Sequence, residues 1–284
     1  MKEYNVITFD TETCGLDVKK NHAITIGVVC ATMNDRGELS ESHKREFWID
    51  WTTLIEGYKI DKRAQEINGI TVADIMKRGS APLVAYAEMF NFICKAFGYK
   101  RGITPYVDLI NCFNMPFDMN MLINDIKFTL RHCQDATKEY REIARKLMYV
   151  LLGKEIILDE SGNLLKLSKL EDREDILFID SMFLDRIFEE EAHLFPKRSH
   201  NLQTVGEMYG IPEDPNAHNA LADADRTIKV LSRQIKDLEK VGWNLDKTLE
   251  SKLESRQLKL AEWWNDRNGQ PIQDYRGRND YKGF

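Results

Sequence analysis

The sequence predicts an α/β fold, on three observations. The chain opens with two apolar runs and a third candidate strand, separated by turn-forming segments. Stretches with helical apolar spacing then alternate with further short strands. Near the middle that alternation is interrupted by a piece of different texture, which reads as an insertion.

The elements follow in order. Residues 6–9 form a short apolar run rich in β-branched residues, residues 23–33 a longer one, and residues 45–50 a candidate third strand. The segments GLDVKKNH and NDRGELSES between them supply turn residues, so the opening reads as a meander of three strands. Helices are expected over 61–67 and 84–97, the second with a face suited to packing on a sheet. Residues 106–111 read as a strand and 116–126 as a helix, in whose first turn Pro116 is acceptable. Within the insertion, 127–174, residues 139–152 have the spacing of an amphipathic helix, and EIILDESGNLLKL reads as two strands about a Ser-Gly-Asn turn. The alternation resumes with a strand over 176–179, a helix after Asp180, and helices near 202–209 and 221–238. Asp180 reads as a helix cap.

Residues 1–239 are thus expected to form one domain, and residues 240–284 a helical extension with a polar tail. In the extension Leu245, Leu249, Leu253, Leu260 and Trp264 line one side of a helix capped by Asp246. That stripe is read as packed on its own domain rather than as a dimer seam. The tail sets Tyr275, Tyr281 and Phe284 among Arg276, Arg278 and Lys282. It reads as a disordered terminus, with stacking on single-stranded bases as the alternative.

With 43% hydrophobic and 30% charged residues in 284, the composition is that of a soluble globular protein. The net charge of −6 argues against a protein that grips nucleic acid by bulk electrostatics, since such proteins carry a basic surplus. It argues little against an enzyme whose acidic site holds divalent cations, because the ions reverse the local charge. The five cysteines, 14, 30, 94, 112 and 133, are odd in number and include no CxxC pair; Cys30 lies within the apolar run ITIGVVCATM. A reduced, cytoplasmic setting is expected. No signal-like apolar core precedes Asp10, and no run is long enough for a membrane span.

The first chemical signal is VITFDTETCGL. Residues two apart on a strand share a face, so Asp10 and Glu12 present their carboxylates together. Clustered carboxylates repel unless a cation lies between them, and oxygen ligands select hard cations such as Mg²⁺ or Mn²⁺. The triplet alone is weak, because Asp172–Glu174 and Asp237–Glu239 repeat it and read as solvated charge. The first is set apart by its place at the end of an apolar strand, with Thr13 and Gly15 making a tight turn. The second signal is FNMPFDMNML, in which Asp118 lies near a helix start, where by default it stabilises the positive helix end. Asn114 there is by default a loop or cap residue. The third is AHNALADADRT. On one continuous helix His218 and Asp223 would diverge by about 140°, so they converge only if His218 precedes the helix and Asp223 lies inside it.

Taken in this order, the three motifs resemble those of the DEDDh branch of the DnaQ-like 3′–5′ exonucleases, over roughly residues 4–235 without the insertion. IDKRAQEINGIT and HNLQTVGEMYGIP are similar to that family's flanking segments. The resemblance implies a ribonuclease H-like fold with a five-stranded mixed sheet flanked by helices. It implies two Mg²⁺ or Mn²⁺ ions: Asp10, Glu12 and Asp223 would hold one, with Asp10 bridging to a second that Asp118 supports. His218 would take the proton from the attacking water, and a histidine rather than a tyrosine there excludes the sister branch found inside many polymerases. The turn from Thr11 through Thr13 to Gly15, together with Asn114, would lie against the terminal nucleotide. In two places the chain departs from its relatives, which often carry histidine where Phe113 and Asn68 stand. Asn68 borders the substrate site in relatives, so its change bears on terminal-nucleotide preference.

The function this implies is release of nucleoside monophosphates from a free 3′ end, single strands being the expected partner and DNA only slightly preferred. The rival readings are the same chemistry on RNA and a proofreading subunit whose C-terminal helix docks a separate polymerase. A non-catalytic nucleic-acid-binding protein is disfavoured, because every motif position keeps its ligand.

Overall fold

The computed structural model describes residues 2–100, 103–133, 137–152, 156–158, 164–167, 176–190, 194–212 and 218–240. The strands are β1 (Glu3–Thr13), β2 (Ala23–Asn34) and β3 (Leu39–Trp48), followed by helices α1 (Lys62–Asn68), α2 (Val72–Arg78) and α3 (Pro82–Ala96). Then come β4 (Leu109–Cys112), α4 (Met115–His132), α5 (Lys138–Leu152), β5 (Ile156–Leu158) and β6 (Leu164–Leu167). The described chain closes with β7 (Leu177–Asp180), α6 (Ser181–Glu190), α7 (Leu202–Met208) and α8 (Ala220–Lys240).

The main sheet has five strands in the order β3-β2-β1-β4-β7. The meander pairs antiparallel, whereas β4 joins β1, and β7 joins β4, in parallel, as the helical crossovers between them require. The expected five-stranded mixed sheet of ribonuclease H-like type, flanked by helices, is therefore present. Strand alternation divides the core between its two faces. Ile7, Phe9, Ile24, Ile26 and Val28 pack with α3, α4 and α5, while Tyr4, Val6, Val29, Ala31 and Met33 pack with α6 and α8. The catalytically suggestive residues Asp10 and Glu12 continue the second row of β1 past the core, to the end of the strand.

Several elements extend beyond their sequence signals. β3 begins at Leu39 rather than at 45, since it is the edge strand and its residues from Glu41 to Arg45 are exposed, leaving no apolar pattern to read. α2 is an element the sequence analysis does not predict; a reciprocal capping box between Thr71 and Asp74 starts it. α4 runs on to His132, and Ile143, Ala144, Leu147, Met148 and Leu151 of α5 enter the same core as α3. β5 and β6 pair antiparallel, apart from the main sheet. The Asp237–Glu239 triplet is not simply solvated charge: Asp237 is buried and accepts a hydrogen bond from the Tyr209 hydroxyl at 2.9 Å. The Asp172–Glu174 triplet and, past Lys240 at the end of α8, the rest of the 240–284 extension, with its leucine stripe, aromatic tail and polymerase-docking role, lie outside the described residues. Among the described residues the cysteines are free, four of them buried, and no helix is long and apolar enough to cross a membrane.

Candidate active site

The site is built where the end of β1 meets the starts of two helices. Asp10 pairs across the sheet with Gly27, and Glu12 with Thr25. α8 begins directly over Gly27, so near that a β-carbon there would stand 2.1 Å from the Ala220 carbonyl oxygen and 2.3 Å from the Leu221 nitrogen. Only glycine allows this approach. It brings Asp223, in the first turn of α8, to the two β1 carboxylates: Asp10, Glu12 and Asp223 each offer an oxygen within 4.8 Å of the others.

Asp118, in the first turn of α4, comes from the other side of β1 and is buried. Its Oδ1 accepts hydrogen bonds from the Thr11 amide at 3.0 Å and the Thr11 hydroxyl at 2.7 Å, which tie the helix start to the strand between Asp10 and Glu12. Asp118 stands outside the set of three, yet close enough to act on two of its members. Burial, then the charges of Asp118, Asp223 and Glu12, hold Asp10 well above the ordinary carboxylate range. Burial followed by Asp223 and Asp118 pushes Glu12 up to about 8, against a hydrogen bond from Asn68. Burial likewise raises Asp118 to about 8, against the Thr11 hydrogen bonds. Such a group of acids is poorly ionised alone and becomes fully ionised when a cation is shared among them. The donor set is all oxygen, and it fits a hard divalent ion of the Mg²⁺ or Mn²⁺ kind.

His218 lies ahead of α8, exposed, in the left-handed region at φ +67°, while Asp223 lies inside the helix. This is the split between loop and helix that the five-residue spacing demands. Asn219 caps the helix: its Oδ1 accepts from the Leu221 and Ala222 amides, both at 3.1 Å, and its carbonyl accepts from the Asp223 amide at 3.0 Å. Asn114, just before α4, is also left-handed at φ +67°, and its amide donates to Asp180 Oδ1 at 3.1 Å. That same oxygen accepts from Met182 and Phe183 at 3.0 and 3.3 Å. Asp180 is thus the cap the sequence suggested and also a tie to Asn114, which the sequence did not suggest.

The remaining expected substrate residues gather at the turn after β1. The Thr13 hydroxyl donates to the Gly15 carbonyl at 2.8 Å, and Asn68 Nδ2 donates to the Thr13 carbonyl at 3.2 Å, beside Glu12. Sequence reasoning missed what braces this turn. Asp125 of α4 accepts from the Ala23 amide at 2.7 Å and lies 2.6 Å from His22 Nδ1, while the His22 ring stacks on Trp51 with centroids 4.1 Å apart. The Cys14 amide donates to the His22 carbonyl at 2.9 Å and passes the restraint to the turn. A helix aspartate partnered from about a hundred residues away leaves no local signal.

A sheet ordered β3-β2-β1-β4-β7, with carboxylates at the end of its central strand, defines a ribonuclease H-like fold of the exonuclease type. No family model matches the chain. E. coli exonuclease I in complex with a dT13 oligonucleotide superposes with a TM-score of 0.53, covering 84% of this chain and 42% of that one at 15% identity. A second exonuclease I structure, whose description relates the fold to processivity, gives 0.52 over 82% and 41% at 16% identity. At such identities the likeness establishes the fold. In sequence, Ribonuclease T of Buchnera aphidicola subsp. Baizongia pistaciae (strain Bp) is 29% identical over 116 residues, 41% of this chain and 51% of that protein. The chain therefore matches about half the length of this curated relative and about two fifths of the exonuclease I chains. The resemblance to DnaQ-like exonucleases drawn from the motifs is upheld by a relative in sequence and by neighbours in fold.

Proposed function

We propose that this chain is a divalent-metal-dependent 3′–5′ exonuclease that hydrolyses single-stranded nucleic acid, DNA slightly preferred, to nucleoside monophosphates. The observation that carries the reading is the meeting of Asp10, Glu12 and Asp223 within 4.8 Å beside buried Asp118, although 213 residues separate the first from the last. Asp10, Glu12 and Asp223 would hold one divalent ion, and Asp118 with Asp10 would support a second. Such ions would supply neutralisation of charge on the scissile phosphate and a lowered pKa for the attacking water. His218, exposed on its loop, accepts the proton of that water. Attack at phosphorus then breaks the bond to the 3′ oxygen of the preceding nucleotide. The turn from Thr11 to Gly15, Asn68 and Asn114 line the place of the terminal nucleotide. Single strands are favoured because exonuclease I has been solved with single-stranded DNA; Ribonuclease T, by its name, keeps RNA as the rival substrate.

The test is incubation of the purified chain with 5′-labelled DNA and RNA, single- and double-stranded, with and without Mg²⁺. A ladder shortening from the 3′ end only with the ion, and abolished by Asp10→Ala, is expected. Failure to shorten any of these strands, or a ladder that survives Asp10→Ala, would overturn the proposal.

A further inference from the structure

Glu46 of β3 is not among the clustered acids, yet it stands in their row. Asp10 pairs with Gly27 on one side, and Gly27 pairs with Glu46 on the other, so all three project from the same face. Glu46 is only 13% exposed, and its charge adds to those that oppose ionisation of Glu12. A carboxylate so placed needs partners, and three donors meet it. Asn219 Nδ2 approaches Oε1 at 2.6 Å, while the Trp48 indole and the Arg78 guanidinium, at 3.5 Å, meet Oε2. Arg78 lies 3.4 Å over the Trp48 ring, which fixes the far side of the group.

The Asn219 contact is the informative one. An asparagine amide can turn either its oxygen or its NH₂ outward, whereas an ionised carboxylate only accepts. Glu46 therefore takes the NH₂ end and leaves Asn219 Oδ1 for the Leu221 and Ala222 amides, two donors that the first turn of α8 cannot satisfy itself. His218 immediately precedes this anchor with φ +67°, a conformation that a residue with a β-carbon keeps only when its surroundings hold it. We propose that Glu46 is a positioning residue for His218: by orienting Asn219 it holds the backbone turn that presents the imidazole. The proposal rests on the exonuclease reading of the site and adds to it a residue from the edge strand.

The experiment is a double-mutant cycle on the full chain, with a 5′-labelled single-stranded deoxyoligonucleotide and Mg²⁺. Glu46→Ala is expected to lower kcat about 10-fold, as a displaced catalytic group does, with KM and the Mg²⁺ requirement unchanged. Glu46→Gln, whose side-chain oxygen still accepts from Asn219, restores most of the rate. The double variant with His218→Ala is expected to be no slower than His218→Ala alone. Multiplying losses in the double variant, or a Glu46→Gln as slow as Glu46→Ala, would overturn the proposal. If the wild-type chain shortens no strand, the exonuclease reading fails instead, and hydrogen exchange judges Glu46 separately. Faster exchange in Glu46→Ala, confined to the amides of 219–222, supports the positioning role; unchanged exchange there refutes it.

Discussion

Gly27 of β2 lies so close beneath Ala220 that an added methyl group would stand 2.1 Å from the Ala220 carbonyl oxygen. The atoms in the way are backbone, so no side chain can rotate aside, and the start of α8 must lift from the sheet. Gly27→Ala is accordingly expected to destabilise the protein by about 1–3 kcal/mol, the usual effect of overpacking. Because Asp223 moves with the helix, cleavage is expected to fall about 10²-fold. Thermal melting and an oligonucleotide assay read the two effects. A Gly27→Ala protein of wild-type rate would show that the site tolerates a raised α8.

The raised carboxylates make stability depend on pH and on divalent ions together. Glu12 and Asp118 titrate near 8 in the folded protein, far above their ordinary range, so the folded state binds protons more tightly than the unfolded one. The stabilisation this provides is complete below the ordinary carboxylate range and is lost as pH rises through about 8. In chelator, the melting temperature is therefore expected to be higher at about pH 6.5 than at about pH 8.5. Millimolar Mg²⁺ compensates the same charges and should raise the value at the alkaline end most, flattening the trend. A chelator profile flat across that interval would contradict the electrostatics assigned to the cluster.

Asp118→Asn separates charge from hydrogen bonding. The amide oxygen still accepts from the Thr11 amide and hydroxyl, so the tie between α4 and β1 survives. Asp118, raised to about 8, must take up a proton to be buried at neutral pH and an amide need not, so the change is expected to stabilise the ion-free protein there by about 1–3 kcal/mol. The same change removes a ligand and should lower Mg²⁺-dependent cleavage at least about 10²-fold. Opposite signs in denaturant unfolding and in turnover are the expected result, and a loss of both would mean that Asp118 serves the fold rather than the ion.

How much of this was legible in the sequence depends on whether the signal is local. Asp10 and Glu12 stand out because a strand's period of two aligns them at the end of an apolar run, and His218 and Asp223 because a loop must give way to a helix between them. The central strands announce themselves by burial on both faces. β3 announces itself only from 45 on, since the part of an edge strand that shows Glu41 to Lys44 to solvent carries no apolar alternation. Glu46, Asp125 and Asp237 read as surface charge in isolation. Each acquires its meaning from a partner elsewhere in the chain, respectively Asn219, His22 and Tyr209, and spacing does not encode such contacts.

The pairing of Asp125 with His22 carries the last prediction. Asp125 is 1% exposed, and burial pushes its carboxyl up to about 6 despite its hydrogen bonds to His22 and the Ala23 amide. Asp125→Ala leaves the buried Ala23 amide without its acceptor and frees the His22 ring that stacks on Trp51. Lost acceptors of this kind are each worth about 1–3 kcal/mol, so unfolding in urea should shift accordingly. The Cys14 amide hangs on the His22 carbonyl at 2.9 Å, so the turn from Thr11 to Gly15 loosens at the same time, while the carboxylates themselves keep their supports. Poorer binding of the terminal nucleotide follows, with KM raised more than kcat is lowered. A variant whose kcat falls at unchanged KM would place the His22–Asp125 brace behind the metal ligands instead of behind the turn.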